Sequence, residues 1–559
     1  MQTTTRTRLP LLQVATLLLL MLGQLGCDPV SDTNGGMPRK NAALPSPVTK
    51  GQAAADVPVE PTVVAAGKEP WIAVKNLPWE AWYLQYQDGM RIGYSHVLIN
   101  RSALENNDRI RIYRTDGIEV MNNGTPTLFN RNIESTEYSD GRLISMIDVS
   151  QSLENIARTE GTLAQDTFTA TTKVGEEETT NSVAWEPGAW GVMGLQAILM
   201  QQPLKPGELL EAKVFIPQLY KIANAELLAG QPELTTLPGG SAQSLLPVDV
   251  ALWTEESGMR SRNWVNARGE VLKTMSTSGP NMMTFWVKPE VGERVRDEFE
   301  LGNYLDRRVE LVGGGDLSDA RKVVYRVARN AAATGDEVYS LLAKDPQQAV
   351  ESINALSLEA TVQRLQPEDL ETNADEAEEG PDPSYLAASP WIPADDKLIE
   401  QFAEELNQDQ EEPANADANI YGPTPTALRI TRNLHEKLTV TPLNREVASP
   451  LQTVSRLQGD SVDQALLLTS VLRSQGLSAR VASGLVVDPD NPSRMHFAMW
   501  TEAWLAGRWV PLDATTGRIA AADRLKILDS DLSGENPYAA ILPVFRELEG
   551  LEIKVISHQ

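Results

Sequence analysis

The chain has a single cysteine, Cys27, among its 559 residues, and only four histidines. One cysteine cannot form an intramolecular disulfide, so the folded domains must rely on their own hydrophobic cores. Basic residues are also scarce, because 49 Lys and Arg face 76 Asp and Glu, which gives a formal net charge of −27. This charge would repel the phosphates of nucleic acid, so no nucleic acid partner is expected.

The apolar run near the N-terminus is too short to span a bilayer comfortably. It follows Arg6 and Arg8, has residues 17–22 at its centre and ends at Cys27. A basic start, a short apolar centre and a polar continuation are typical of a signal peptide rather than a transmembrane helix. Residues 1–27 resemble a bacterial lipoprotein signal, in which the cysteine is lipidated. Gln24 replaces the usual aliphatic residue, so a plain secretory signal is the alternative.

The resemblance implies an exported protein, anchored through Cys27 to a bacterial membrane and facing the periplasm or the exterior. Two or three acyl chains on one residue would make this attachment stable, because each buried methylene contributes about 0.8 kcal/mol. The next residues are rich in Pro, Gly, Ala and Ser. Residues 28–75 are therefore predicted to form a flexible linker.

Residues 76–300 are predicted to form a large antiparallel β-rich domain. Turn pairs such as Asp88-Gly89 separate runs of alternating apolar and polar residues, which is a strong hairpin signal. Similar pairs are Asp116-Gly117, Asn123-Gly124 and Asp140-Gly141. A helix is expected near residues 191–200. The curved sheet is reminiscent of half-barrel domains of bacterial envelope lipoproteins, and one hypothesis is that it binds lipid or a hydrophobic partner inside.

Two shorter regions follow the large β-rich domain. Residues 301–366 alternate again and predict a second, small β domain. Residues 367–422 include an acidic stretch without apolar periodicity, so they are predicted to be an acidic linker and helix, with an acidic binding tail as the alternative. Together with a C-terminal domain at 423–559, this division suits a chain too long for one domain. The expected fold class is α+β.

The C-terminal region, residues 423–559, changes to the order helix, helix, strand, strand, strand. Asp460 is a good N-cap for the second helix, and Gly476 suits its C-terminal end. Four ordered motifs accompany the pattern: Gly459-Asp460-Ser461, Gly476-Leu477-Ser478-Ala479-Arg480, Ala498-Met499-Trp500-Thr501-Glu502 and Trp509-Val510-Pro511-Leu512-Asp513-Ala514-Thr515. These motifs resemble those of the transglutaminase-like superfamily, which consists of papain-related cysteine enzymes.

The resemblance implies a papain-like fold and a site with a cysteine at a helix N-terminus, a histidine on one strand and an aspartate on the next. In this chain the three positions hold Ser461, Ala498 and Asp513. A serine hydroxyl has no accessible anion at neutral pH, and a helix dipole worth about 1–2 kcal/mol cannot supply one. Ala498 has no basic group. The expected result is a pseudoenzyme that binds a peptide or protein, or assists assembly.

His496 leaves a second hypothesis open. It lies two residues before Ala498, so on a regular strand both side chains point to the same face. A bulge could bring it to Ser461, which would give a serine-dependent acyltransferase or peptide hydrolase that uses Ser461, His496 and Asp513. Otherwise His496 is idle, Ser461 helps to cap its helix, and Asp513 holds a turn or pairs with Arg518. The sequence indicates neither a cofactor nor a metal site.

Overall fold

The structure is a computed structural model. It describes residues 61–65, 70, 75–102, 108–122, 125–152, 155–238, 240, 242–278, 281–329, 341–370, 380–408, 423–534 and 536–559. Cys27, the predicted signal peptide and most of the predicted linker lie outside these residues. The chain divides into two compact units, Met1–Arg296 and Asp297–Gln559, which we call the N-terminal and C-terminal units.

In the N-terminal unit, the described residues form one 17-stranded sheet. The strands are β1 (Thr62–Ala65), β2 (Trp79–Gln87), β3 (Met90–Arg101), β4 (Arg109–Asn122), β5 (Thr125–Tyr138), β6 (Leu143–Ser152), β7 (Asn155–Ala164), β8 (Thr167–Val174), β9 (Glu177–Ala184), β10 (Ala189–Trp190), β11 (Glu208–Ile216), β12 (Lys221–Ala229), β13 (Glu233–Thr236), β14 (Ala242–Trp253), β15 (Gly258–Val265), β16 (Val271–Ser276) and β17 (Met282–Val287). They pair in the order β1, β10 to β17, then β2 to β9.

Short turns set the register of this sheet. Asp88 and Gly89 join β2 to β3, and both have positive φ, 50° and 84°, which suits a two-residue hairpin turn. Gly141 has φ of 88° in the turn between β5 and β6. The predicted turns at these two positions are confirmed. Asn123-Gly124 lies outside the described residues.

The predicted turn at Asp116-Gly117 is wrong, because both residues lie inside β4. Gly117 marks a close approach instead of a turn. A Cβ atom at this position would lie 2.4 Å from a ring carbon of Tyr94, which packs over it from β3. Asp116 is buried and accepts hydrogen bonds from Ser95 and Arg114. In this strand, Gly117 makes room for the Tyr94 ring and Asp116 pairs with Arg114, so neither residue forms a turn.

The core of the N-terminal unit lies between the sheet and a short helix, α1 (Gly194–Gln201). The helix lies where the sequence predicts one, and it buries Ala197, Ile198, Leu199 and Met200. These side chains pack against alternate residues of the surrounding strands, such as Val214 of β11. A helix buried in this way is apolar on most of its surface.

The C-terminal unit holds a ten-stranded sheet and a two-stranded one among its described residues. The strands are β18 (Val309–Val312), β19 (Lys322–Arg329), β20 (Gln348–Asn354), β21 (Ser357–Gln363), β22 (Thr439–Val440), β23 (Gln458–Gly459), β24 (Ala479–Val487), β25 (Arg494–Leu505), β26 (Arg508–Asp513), β27 (Arg518–Ile519), β28 (Arg524–Ser530) and β29 (Leu551–His558). The helices are α2 (Pro289–Gly302), which crosses the boundary between the units, α3 (Lys397–Asn407), α4 (Pro423–Lys437), α5 (Pro450–Arg456), α6 (Ser461–Ser474) and α7 (Leu542–Glu547).

The strands of the predicted small β domain, β18 to β21, belong to this ten-stranded sheet. β19 pairs with β29 at the C-terminus, and β18 pairs with both β25 and β29. Alternation of apolar and polar residues predicts a strand but not its partner, so the sequence could not show that these strands and the C-terminal region share one sheet. Overall, the described chain is mostly β, with an α+β C-terminal part.

Helix α6 forms the centre of the C-terminal unit. Every residue from Val462 to Arg473 is buried. Val462, Ala465 and Leu466 pack toward the sheet, whereas Leu468 and Leu472 belong to a second core shared with α3 and α4. The predicted helix over this segment is confirmed. In the described part of the chain, no helix is long and apolar enough to span a bilayer.

A buried carboxyl group, that of Glu137, holds a loop of the N-terminal unit. Its Oε1 accepts a hydrogen bond from the Val192 backbone N–H at 2.8 Å and another from the Ser135 hydroxyl at 3.2 Å. A Cβ atom at Gly191 would lie 2.4 Å from the same oxygen, so only glycine permits this approach. Burial raises the pKa of Glu137 to about 7.

We expect Glu137→Gln to stabilise the protein at pH 8 but not at pH 5. Because the folded-state pKa exceeds the unfolded one, the folded protein binds more protons between pH 4.5 and 7, and its stability falls as pH rises through this window. Glutamine keeps an acceptor for Val192 without the charge. Urea unfolding should show a gain of about 2–3 kcal/mol at pH 8. The exposed Glu177→Gln should show none, and equal effects of Glu137→Gln at both pH values would contradict the prediction.

Candidate functional site

The N-terminus of α6 is built by a capping box. The Asp460 carboxylate accepts hydrogen bonds from the backbone N–H groups of Val462 and Asp463, at 2.9 and 3.1 Å. The Asp463 carboxylate accepts one in return from the Asp460 N–H. Ser461 is thus the first helical residue, and its hydroxyl takes no part in the cap. Instead, Oγ accepts a hydrogen bond from the Met499 N–H at 3.4 Å.

The two carboxyl groups beside Ser461 are buried and close together. Asp460 also accepts from the Asn444 N–H at 2.9 Å, and Asp463 from the Ala448 N–H at 2.8 Å. Burial raises the pKa of both groups, and the charge of Asp460 raises that of Asp463 further. The raised pKa values favour the neutral forms of these two carboxyl groups, and any negative charge that they keep opposes an alkoxide at Ser461.

The position that the family resemblance assigns to the base is occupied by a methyl group, that of Ala498 on β25. Alternate residues of this strand face the two sides of the sheet. Phe497 and Met499 pack into the core that includes Val462 of α6, whereas Ala498 and Trp500 face the other side. All four are buried. The pairing of β25 with β24 contains no bulge. Ala498 therefore keeps the position, two residues before Trp500, that the sequence predicts for it.

Asp513 ends β26 as a buried carboxylate with two partners. Its Oδ1 accepts hydrogen bonds from the N–H and hydroxyl of Thr515, at 2.9 and 2.6 Å. Its Oδ2 accepts from Nη2 of Arg524 at 2.9 Å. Burial alone would raise the pKa of Asp513, but the Arg524 charge and the Thr515 hydrogen bonds hold it below its ordinary value. Asp513 is therefore ionised and bound to an arginine.

Arg524, the first residue of β28, lies on the same face of the sheet as Ala498. Across the sheet it lies opposite Val486, which lies opposite His496, so all three share one face. Asp513 lies further along, because Leu512 pairs with Thr501. The arginine side chain extends from the level of His496 past Ala498 to reach the carboxylate, with its guanidinium carbon 5.1 Å from the centre of the Trp500 ring.

The structure does not join the three residues of the second hypothesis. His496 lies on β25 opposite Val486, and its Nδ1 is buried without a hydrogen-bond partner. Burial lowers its pKa, against an opposing effect of Asp488. Within the described residues, Ser461, His496 and Asp513 share no hydrogen bond. The alternative pairing of Asp513 with Arg518 is not observed either, since Arg518 approaches Asp319 at 3.7 Å.

A buried charge network explains two of the other sequence motifs. Nε of Arg480 donates to Glu502 at 2.8 Å, and Nη1 contacts Asp529 at 2.9 Å. Nζ of Lys526 lies 2.9 Å from Glu502, 2.9 Å from Asp529 and 3.1 Å from Asp345. Arg480 and Glu502, taken from the sequence as family markers, thus act as a structural ion pair.

The chain itself covers this part of the sheet. Gln348 exchanges two hydrogen bonds of 2.8 Å with the backbone of Lys526, and Gln347 donates to the carbonyl of Trp509 at 3.1 Å. Trp509 also contacts the edge of Trp504 and lies 4.3 Å below the Arg480 guanidinium. These aromatic side chains are packing partners of charged groups. In the part of the chain that the structure describes, no cluster of three or more His, Cys, Asp or Glu could hold a metal.

We expect Arg524→Met to destabilise the protein by about 3–5 kcal/mol, because it leaves the buried Asp513 carboxylate without a counter-ion. The double variant Arg524→Met/Asp513→Leu should cost clearly less than the two single changes added together. Urea unfolding of the four proteins gives the coupling energy. Arg518→Met is a matched control, since its ion pair is exposed and should contribute less than about 1 kcal/mol. A coupling energy near zero would contradict the assignment.

Comparison with known proteins agrees with the C-terminal resemblance. No curated protein sequence matches the chain. Among solved structures, it is similar to a β-barrel-like protein from Brucella abortus with a domain of unknown function, at 14% identity and a TM-score of 0.30, over 38% of this chain and 96% of that one. It is also similar to a candidate cysteine protease from Cytophaga hutchinsonii, at 16% identity and a TM-score of 0.26, over 43% and 86%. At these TM-scores, neither likeness carries an argument.

The family comparison is specific to one region. Residues 411–514 match the sequence model of the transglutaminase-like superfamily, and this range contains Ser461, Ala498 and Asp513. The protein therefore carries a transglutaminase-like domain in its C-terminal part.

Proposed function

We propose that this protein is an exported bacterial envelope lipoprotein whose transglutaminase-like domain binds an extended peptide or protein segment without reacting with it. The observation that carries this proposal is the pairing of Asp513 with Arg524, on the sheet face that also holds Ala498. The family mechanism needs a proton path from nucleophile to base to carboxylate. Here the Asp513 carboxylate is bound to the Arg524 guanidinium, which cannot accept a proton.

The surroundings of Ser461 support the same reading. Its hydroxyl accepts a hydrogen bond from the Met499 N–H, and within the described residues no hydrogen bond joins it to a histidine or to the nearby Asp460 and Asp463 carboxyl groups. A serine needs a general base to attack an acyl group at neutral pH. The position that the resemblance assigns to the base holds the buried methyl group of Ala498, which cannot accept a proton. A domain of this kind keeps the fold of an enzyme and serves recognition.

The competing function is a serine-dependent acyltransferase or peptide hydrolase that uses Ser461, His496 and Asp513. The unpartnered Nδ1 of His496 is the feature that favours it. It would require Arg524 to release Asp513 and His496 to move along the sheet toward Ser461. Both steps would break buried contacts, so we rank this function second.

We expect the purified protein to bind glutamine-containing peptides without converting them. Fluorescence anisotropy would report binding, and incubation with an amine donor or with protease substrates would report turnover. Ser461→Trp, which places an indole at the proposed binding site, should weaken binding at least fivefold, whereas Ser461→Ala should change neither readout. Turnover by the native protein that is lost in both Ser461→Ala and His496→Ala would establish the competing function.

We also expect Cys27 to carry the membrane anchor. Cells grown with an alkyne-tagged fatty acid should yield labelled protein in the membrane fraction. Cys27→Ser should be unlabelled and released from that fraction, because the chain has no other thiol to modify. Equal labelling or equal membrane association of the two proteins would exclude lipidation at Cys27. This result bears on the anchor alone, since the binding assay uses purified protein.

A further inference from the structure

The curved sheet of the N-terminal unit encloses a cavity of about 300 Å³. Its walls come from residues on β2 to β5, from the loop and start of α1, and from β11 and β14 to β17. Much of the cavity lining is apolar, and it includes Val97, Ile133, Met193, Val214, Val250 and Met259. Such a surface suits a hydrocarbon chain.

Two arginines at the cavity wall are paired with carboxylates. Nε of Arg114 donates to Asp116 at 2.9 Å, and Nε of Arg131 donates to Asp148 at 2.9 Å. Lys273 also borders the cavity, but its Nζ lies 4.3 and 5.6 Å from the centres of the Trp264 and Phe285 rings, on the face of β16 opposite to Thr274. The three cations that border the cavity in the described chain are therefore engaged elsewhere than with a head group.

A polar patch on three adjacent strands differs from the rest of the wall. It consists of Ser261 and Asn263 on β15, Thr274 on β16 and Thr284 on β17. Asn263, Thr274 and Thr284 lie directly opposite one another across the sheet. Within the described chain, these four side chains make no hydrogen bond to protein. The Oδ1 atom of Asn263, a residue only 5% exposed, is buried and unpartnered.

The buried, unpartnered Oδ1 atom of Asn263 costs free energy unless a ligand or solvent satisfies it, and the half-buried hydroxyls of Ser261, Thr274 and Thr284 lie on the same or the adjacent strands. The patch supplies both donors and acceptors, faces a cavity with an apolar wall and carries no net charge. We propose that this cavity binds a neutral single-chain amphiphile, with its hydroxyl- or amide-bearing head group on the polar patch and its acyl chain along the apolar wall. The proposal is independent of the transglutaminase-like domain.

The test is calorimetric titration of the full chain with dodecanoylglycerol, below the concentration at which the lipid aggregates. We expect one-to-one binding, and weaker binding of dodecanoate, whose carboxylate would lose its hydration without gaining a cation. Thr274→Val/Thr284→Val replaces two hydroxyls by methyl groups of equal size. It should weaken binding of dodecanoylglycerol roughly 30-fold, because two hydrogen bonds are lost and each is worth on the order of 1 kcal/mol.

Two further variants keep the test decisive. Asn263→Leu should weaken binding at least tenfold. If this variant does not fold, the isosteric Thr274→Val/Thr284→Val variant tests the polar patch alone. Asn181→Leu changes an exposed asparagine on β9 and should leave the affinity unchanged. The proposal is overturned if the native protein does not bind dodecanoylglycerol, if dodecanoate binds more tightly, or if the double valine variant binds as the native protein does.

Discussion

A carboxylate removed from water must have a counter-charge or strong hydrogen-bond donors, and Asp513 at the end of β26 imposes this requirement on the C-terminal unit. Arg524 meets it at 2.9 Å, and the arginine is itself held by Asp523 and by the face of Trp500. Arg524 and Ala498 lie on the same face of the sheet, and the guanidinium reaches Asp513 along that face.

The same requirement organises the sheet on either side of the site. Arg480, Glu502, Lys526 and Asp529 neutralise one another in a buried cluster. At the N-terminus of α6 it is met by backbone N–H groups, which satisfy the Asp460 and Asp463 carboxylates. At each of these places the charged groups already have a counter-charge or a hydrogen-bond donor within the protein. Reactive sites differ, because they leave a nucleophile and a base poised for proton transfer.

Local features of the C-terminal unit could be predicted from the sequence, since short-range rules determine them. The helix after Asp460 follows from its N-cap, its apolar residues and Gly476, whose φ is 75°. The Asp88-Gly89 hairpin follows from turn chemistry. Asp116-Gly117 misled because the same residue pair also suits a close packing contact and an ion pair. The partner of a strand depends on residues distant in sequence, which is why β18 to β21 were predicted as a separate domain.

Arg524 could not be predicted for the same reason. It lies eleven positions after Asp513 and outside the four motifs, and only the pairing of β28 with β24 brings it onto the same sheet face as Ala498. Its chemistry then decides more than its position. A histidine beside an aspartate exchanges a proton near neutral pH, whereas an arginine stays charged and donates only. Replacing the imidazole by a guanidinium would therefore turn a proton path into a permanent ion pair. With an arginine bound to Asp513 and alanine at position 498, a cysteine at position 461 would have no base to activate it. Serine at position 461 would therefore lose no further reactivity relative to cysteine.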